Sequence, residues 1–277
     1  MGDNATAAPI ASGKLVPEND GPDRHSVMVG GGRAEVFCSI SPDKPSDNQD
    51  SLLVLELDND RCVLAVADGA GGIQGGRRAS RLALVTLREE ILAARGEDQE
   101  LRATILHAME VANQHVVMET RGAASTLTVV SIEGREARVF HVGDSVAMIT
   151  GQRSAVKLQT VAHSPVGFAL AAGFLTEADA MFHPERHVVS NFVGTQEMII
   201  EVGSPIRLAR HDSILLASDG LTDNLFTDEI MSVMRRGAID VAVDTLVEKT
   251  HHRMQRRDMQ IPGKADDLAI ILYRKPD

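Results

Sequence analysis

The sequence predicts an α+β fold in which two antiparallel sheets pack on each other and helices cover their outer faces. Apolar runs of strand length form one block near the N-terminus and another in the middle of the chain, and further runs follow towards the C-terminus. Two amphipathic helical segments separate the first two blocks, and two more precede the last strand. This order is typical of an α+β layered sandwich, whereas alternating single strands and helices would indicate a parallel sheet.

The N-terminal part of the chain contains the first block of strands. Residues 1–25 are rich in Ala, Gly, Pro, Asp and Asn and show no periodicity, so we expect a flexible leader there and a single domain over residues 26–277. Strands are predicted at residues 34–40, 52–57 and 61–67. The Asp-Asn-Asp sequence between the last two predicts a hairpin.

Two helices are predicted after this block. In residues 79–94, the side chains of Leu84, Leu87 and Ile91 recur on one helical face. Residues 101–120 carry a longer apolar stripe at the same spacing, which predicts a second buried helix face.

The rest of the chain returns to strands and ends with a helical pair before the final strand. Strands are predicted at residues 125–132, 138–142, 146–150, 213–218 and 268–273. Helices are predicted at residues 227–236 and 239–256, and residues 160–200 mix short helical and loop signals.

Composition excludes several classes of function. A formal net charge of −11 and an aromatic content of 3% argue against a nucleic-acid partner, which would need basic patches and stacking side chains. No apolar stretch reaches the length of a membrane span, so we expect no membrane partner. Cys38 and Cys62 form no CxxC pair and are expected to be reduced thiols in the core of a cytoplasmic protein.

Aspartates stand where buried strands are predicted to end or begin. Asp68 and Asp219 each follow an apolar run and precede a glycine, Asp144 lies in a turn between two strands, and Asp266 with Asp267 precedes the last strand. Each aspartate alone is more often a turn or capping residue. If the strand ends converge, however, their mutual repulsion requires cations, and two Mn²⁺ or Mg²⁺ ions sharing one bridging aspartate would supply them. Such a centre activates water, which indicates hydrolysis of a phosphate ester.

Six short motifs resemble, in order, those of the PP2C-type metal-dependent serine/threonine protein phosphatases, and their bacterial branch in particular. The motifs are NQDS at 48–51, VADGAGG at 66–72, ASTL at 124–127, VGDS at 142–145, ASDGLTD at 217–223 and DDLAI at 266–270. Together the resemblance covers about residues 34–274, and residues 165–197 align with the mobile flap of the family.

The resemblance implies an αββα sandwich with a binuclear Mn²⁺ or Mg²⁺ centre at one end of the two sheets. Asp68 would bridge both metals. Asp219 and Asp266 would complete the first site, and the carbonyl of Gly69 the second. Asp50 would act through a metal-bound water, because a glutamine precedes it where many eukaryotic members have a ligating glutamate.

The same resemblance implies further roles for two acidic residues. Asp144 with Asp219 would form a third metal site, and Asp223 would contact the metal ligands without itself binding a metal. A water or hydroxide that bridges the metals would attack phosphorus directly, without a phosphoenzyme intermediate.

The chain departs from the family at the residue that holds the substrate phosphate. An arginine usually precedes the first acidic motif, but here Lys44 stands in that neighbourhood and offers a point charge in place of a bidentate fork. Arg77, after the glycine loop, is a second candidate, although it also suits a solvated first helical turn.

The sequence therefore predicts a monomeric enzyme that dephosphorylates phosphoserine and phosphothreonine proteins, with a Ser/Thr kinase or the targets of one as its partners. Two alternatives remain open at this stage. The chain could be a catalytically weak PP2C-like regulatory binding domain, or a phosphatase that acts on small phosphate esters. The missing arginine favours the first alternative, and the joint presence of Asp68, Asp219 and Asp266 opposes it.

Overall fold

The computed structural model describes residues 13–16, 22–44, 47–70, 73–95, 100–151, 156–256 and 263–275. The strands are β1 Lys14–Val16, β2 Asp23–Val29, β3 Gly32–Ser39, β4 Asp50–Glu56, β5 Arg61–Ala70, β6 Ala124–Ser125, β7 Leu127–Glu133, β8 Glu136–Val142, β9 Val146–Thr150, β10 Val156–Gln159, β11 Glu201–Val202, β12 Ile206–Arg207, β13 Ser213–Ala217 and β14 Leu268–Arg274. The helices are α1 Ile73–Ala93, α2 Leu101–Glu119, α3 Pro165–Ala171, α4 Glu177–Met181, α5 Asp219–Thr222, α6 Thr227–Met234 and α7 Ile239–Met254.

These strands form two sheets in which hydrogen-bonded neighbours run antiparallel. The first sheet has the order β1-β4-β5-β7-β8-β11, with β12 also paired to β8 and β6 paired to β5. The second sheet has the order β10-β9-β13-β14-β3-β2. The predicted hairpin is present as β4 and β5, whose register places Asp50 opposite Asp68.

Side chains that alternate between the two faces of each strand form three apolar cores, one between the sheets and one on the outer face of each sheet. In β4, Leu52 joins the core between the two sheets, whereas Leu53 packs on the outer side under α1 and α2. In β13, Ile214 joins the same inner core and Leu215 packs against α6 and α7. Because successive side chains of a strand point to opposite faces, one apolar run serves two cores. The result is the predicted layer order of helices, sheet, sheet and helices.

Several elements differ from the expected boundaries. Within the predicted leader, Lys14–Val16 form β1 on the edge of the first sheet and β2 begins at Asp23, so these residues are strand and not leader; residues 1–12 and 17–21 lie outside the described residues. Helix α1 begins at Ile73, six residues before the predicted start. The thiols of Cys38 and Cys62 are buried and free, as predicted. Among the described residues, no helix combines the length and apolar character that crossing a membrane requires.

Candidate active site

The two sheets bring the predicted aspartates to one end of the sandwich. Asp50 begins β4 and lies opposite Asp68 near the end of β5. Asp219 follows β13 after one residue, and Asp266 precedes β14 by one residue. Because β13 and β14 are antiparallel neighbours, the C-terminal end of β13 and the N-terminal end of β14 lie at the same end of the second sheet. Asp144 lies in the turn between β8 and β9.

Two hydroxyl residues just before β7, Ser125 of β6 and Thr126, hold the backbone of Asp68. The amide of Asp68 donates to Thr126 Oγ1 at 2.9 Å, and the amide of Thr126 donates to the Asp68 carbonyl at 2.8 Å. Ser125 Oγ also donates to the Asp68 carbonyl, at 2.9 Å. These contacts explain the Ala-Ser-Thr-Leu motif: its hydroxyls position the strand that carries the predicted bridging ligand.

Gly69 needs to be glycine because helix α1 passes directly against it. A Cβ atom at Gly69 would lie 2.0 Å from the carbonyl oxygen of Gly76, and a Cβ at Gly76 would lie 2.5 Å from the carbonyl oxygen of Gly69. The amide of Gly69 donates to the Gln49 carbonyl at 3.1 Å. The glycine loop therefore serves close packing of backbones as well as the predicted ligand role of the Gly69 carbonyl. Residues 71–72 of this motif lie outside the described residues.

A buried hydroxyl connects Asp50 in the first sheet to the second sheet. Ser218 Oγ donates to Asp50 Oδ2 at 2.6 Å and accepts a hydrogen bond from the amide of Ala269 at 3.0 Å. The side chains of Asp50 and Ser218 are both buried. Ser218 therefore holds the carboxylate of Asp50 at the seam between the two sheets.

The two adjacent aspartates before β14 have different surroundings. Asp267 is 2% exposed, and its carboxylate accepts hydrogen bonds at 2.8 Å from the amides of Ser41 and Gln49 and from Lys44 Nζ. It therefore fastens the loop before β4 to the start of β14. The side chain of Asp266 is 26% exposed and faces the lysine described below.

Negative charge accumulates at this end of the molecule. Seven carboxylates take part, from Asp50, Asp68, Asp144, Asp219, Asp223, Asp266 and Asp267. Burial, followed by the charges of neighbouring aspartates, raises the pKa of Asp50 and of Asp68 well above the usual range. Burial and then the charge of Asp219 also raise the pKa of Asp266, and burial with Asp219 and Asp223 raises the pKa of Asp144 to about 8.

One lysine lies among three of these carboxylates. Lys264 Nζ is 2.7 Å from Asp219 Oδ2, 2.9 Å from Asp223 Oδ2 and 3.0 Å from Asp266 Oδ2. Burial disfavours the ammonium, but the three aspartates outweigh burial and raise the pKa of Lys264. No sequence motif indicated a role for Lys264. Its partner Asp219 is 45 residues away in the chain, so no local pattern relates the two.

The donor set fits a divalent cation, although the side chains as they stand do not close around one. The ligands are carboxylate and carbonyl oxygens, which Mg²⁺ and Mn²⁺ prefer. Asp223 Oδ2 is buried and accepts no hydrogen bond, although Lys264 Nζ lies 2.9 Å away. Burial, followed by the charges of neighbouring aspartates, raises the pKa of Asp50 and of Asp68, and bound cations would relieve that repulsion. In the described part of the chain, no three His, Cys, Asp or Glu side chains are arranged to hold a metal ion. The ammonium of Lys264 lies instead between the ligands predicted for the first site.

The two predicted phosphate-binding residues differ in position. Lys44 lies beside the carboxylates, 2.8 Å from Asp267 Oδ2 and 3.9 Å from Asp266 Oδ1. Burial opposes the charge of Lys44, but the hydrogen bond to Asp267 and its charge raise the pKa of the ammonium. Arg77 contacts Asp47 at 3.0 Å in the loop before β4.

Comparison with known proteins agrees with this architecture. The sequence profile of the Protein phosphatase 2C family matches residues 43–262. Protein phosphatase PhpP of Streptococcus pneumoniae serotype 2 (strain D39) is 30% identical over 198 residues, which span 69% of this chain and 80% of that protein.

Solved structures show the same fold. The serine/threonine phosphatase of S. agalactiae superposes with a TM-score of 0.73 and 26% identity, covering 87% of this chain and 99% of the other. The catalytic domain of the serine/threonine protein phosphatase PstP, solved in complex with two manganese ions, gives a TM-score of 0.68 at 22% identity over 89% and 99% of the two chains. The extent of the family match and the similarity to PhpP show that this chain belongs to the protein phosphatase 2C family of serine/threonine protein phosphatases.

Proposed function

We propose that this protein removes phosphate from phosphoserine and phosphothreonine side chains of proteins at the aspartate-rich end of the sandwich. The observation that carries the proposal is the convergence of Asp68, Asp219 and Asp266 from separate strand ends, with more carboxylates than the neighbouring lysines neutralise. Such a cluster needs divalent cations, and we propose two Mn²⁺ or Mg²⁺ ions, with a third at Asp144.

Five residues would hold the two ions or the water bound to them. Asp68 would bridge the two ions, Asp219 and Asp266 would hold the first, and the Gly69 carbonyl the second. Asp50, which Ser218 orients at 2.6 Å, would accept a hydrogen bond from bound water. The chemistry that such ions would supply is the activation of water for attack on phosphorus.

Two further side chains would complete the centre. Asp223, whose Oδ2 is buried and accepts no hydrogen bond, would orient the groups around Asp219. Lys44 is the better placed of the two phosphate-binding candidates, because it lies beside Asp266 and Asp267, whereas Arg77 contacts Asp47. A single ammonium binds phosphate as a point charge, so we expect weaker ground-state binding than an arginine gives.

A cavity next to the aspartates favours a protein substrate over a small phosphate ester. It has a volume of about 300 Å³, and Asp144, Asp219 and Asp223 are among the residues that line it. The rest of the lining is largely apolar and includes Val166 of α3 and Met181 of α4. We propose that side chains flanking the phosphorylated residue enter this cavity, since a small ester would leave its apolar wall unused. The phosphorylated targets of a Ser/Thr kinase are substrates of the right chemistry.

The test is phosphate release from a phosphothreonine peptide and from p-nitrophenyl phosphate, measured in parallel with Mn²⁺ and with EDTA. We expect Asp219→Ala to lower kcat/KM for the peptide by at least about 100-fold, because it removes a metal-ligating carboxylate. Asp244→Ala is the matched control, since its side chain is 64% exposed on α7. EDTA should abolish turnover and Mn²⁺ should restore it.

Three outcomes would contradict the proposal. Turnover that persists in EDTA would exclude the metal-dependent reaction. A kcat/KM for p-nitrophenyl phosphate equal to or above that for the peptide would favour small phosphate esters as substrates. Mn²⁺ binding without turnover on either substrate would favour a regulatory binding domain.

A further inference from the structure

Lys264 lies within ion-pair distance of three carboxylates. Its ammonium lies 2.7, 2.9 and 3.0 Å from single carboxylate oxygens of Asp219, Asp223 and Asp266 respectively. The side chain is only 24% exposed. The ammonium donates a hydrogen bond to Asp219 Oδ2 and forms ion pairs with the other two carboxylates.

The backbone of Lys264 is held in place independently of these ion pairs. The amide of Lys264 donates to Asn224 Oδ1 at 3.0 Å, and Asn224 Nδ2 donates to the carbonyl of Lys264 at 2.9 Å. Asn224 is fully buried, and its Nδ2 also donates to the Gly220 carbonyl at 2.9 Å. A single buried amide therefore ties Lys264 to the turn that carries Asp219, so the lysine belongs to the architecture of the site.

We infer that Lys264 is a built-in competitor of the first metal ion. It holds Asp219 and Asp266 together when no metal is bound, and it must leave these oxygens before a divalent cation can bind them. This inference rests on the ligand roles proposed above for Asp219 and Asp266. An ammonium and a divalent ion cannot share these oxygens, because both are positive and each needs the same lone pairs.

The competition has two opposite consequences. In the metal-free protein, Lys264 offsets the repulsion among three crowded carboxylates and stabilises the fold. For the metal, displacement of the ammonium is a cost that lowers the apparent affinity of the first site. The protein would therefore need a higher concentration of divalent cation than the same site without the lysine.

The experiment is calorimetric titration of Mn²⁺ into the metal-depleted full-length chain. We expect Lys264→Met to tighten the Kd of one Mn²⁺ site by about tenfold, the size typical of coupling between two occupants of one region. In EDTA, the same variant should unfold at a lower urea concentration than the wild type. Lys264→Gln, which keeps a polar end, serves as a second neutral variant if the methionine variant does not fold.

Two controls separate charge competition from a general change in net charge. Lys264→Arg keeps the positive charge and should bind Mn²⁺ no more tightly than the wild type. Lys275→Met removes a lysine at the far end of β14, where the ammonium contacts Asp60 at 3.3 Å, and should also leave the Kd unchanged. A Kd for Lys264→Met equal to or weaker than that of the wild type would overturn the inference.

The failure of this inference and the failure of the proposed function give different results. If Lys264 is not a competitor, wild type and Lys264→Met bind Mn²⁺ with the same Kd and both release phosphate. If the metal roles of the aspartates are wrong, no variant binds Mn²⁺ in the titration, and the inference is overturned with them.

Discussion

The adjacent residues Asp266 and Asp267 provide a sharp test of how this end of the molecule works. The contacts of Asp267 give it a structural role, because they hold the loop before β4 to the start of β14, whereas Asp266 is proposed as a metal ligand. Alanine at each position should therefore separate stability from metal binding. We expect Asp267→Ala to unfold the protein more easily and Asp266→Ala to remove Mn²⁺ affinity with little loss of stability.

The magnitudes follow from the hydrogen bonds that each change removes. Asp267→Ala leaves the amides of Ser41 and Gln49 without their acceptor, where the hydrogen bonds measured 2.8 Å. An unsatisfied buried donor costs about 1–3 kcal/mol, and water can partly replace the lost acceptor at Gln49, which is only half-buried. We therefore expect Asp267→Ala to lower the free energy of unfolding by about 3 kcal/mol. Asp266→Ala removes a carboxylate whose pKa is raised by burial and Asp219, and relief of that repulsion limits the change to within about 1 kcal/mol.

The assay is urea unfolding followed by circular dichroism in EDTA, with Mn²⁺ titration of the folded variants. A greater loss of stability in Asp266→Ala than in Asp267→Ala would refute the assignment. So would normal stability combined with complete loss of Mn²⁺ binding in Asp267→Ala, because the two residues would then have exchanged roles.

Two further changes test the surroundings of the site. His141 is buried and its pKa is lowered, by burial first, to about 3, so the folded state resists the proton that the unfolded chain accepts below about pH 6.5. The stability that the neutral imidazole gives the folded state is complete above pH 6.5 and is lost as the pH falls towards 3. Between pH 7 and pH 5, the free energy of unfolding in urea should therefore fall by about 2 kcal/mol more for the metal-free wild type than for His141→Gln. Equal losses in the two proteins would contradict this. Gly220→Ala would place a Cβ 1.9 Å from the Asp267 carbonyl oxygen, so it should cost about 2 kcal/mol and weaken Mn²⁺ binding. Gly203→Ala, whose Cβ would meet nothing closer than 3.4 Å, is the control, and an equal effect of both changes would exclude the steric explanation.

The main strands and helices could be predicted because their patterns are local. Alternating apolar residues in β4 and β13 need only their own neighbours to indicate two buried faces. Strand β2 was not predicted, because its sequence Asp-Arg-His-Ser-Val-Met-Val is polar in its first half and becomes a strand by pairing with β3. The early start of α1 was missed since Gly75 and Gly76 argue against a helix, while contact with Gly69 requires glycine at position 76.

By itself, the sequence determined the two-sheet fold, the family motifs and the candidate ligands Asp68, Asp219 and Asp266, because strand periodicity and strand-end aspartates are encoded over a few residues. Only the tertiary structure decided what each acidic group contacts. Asp267 binds the amide of Ser41, 226 positions away, and no local pattern specifies such a distant pair. The same reason applies to Lys264: three carboxylates surround its ammonium only after β13 and β14 pair and the buried Asn224 fixes the chain between them.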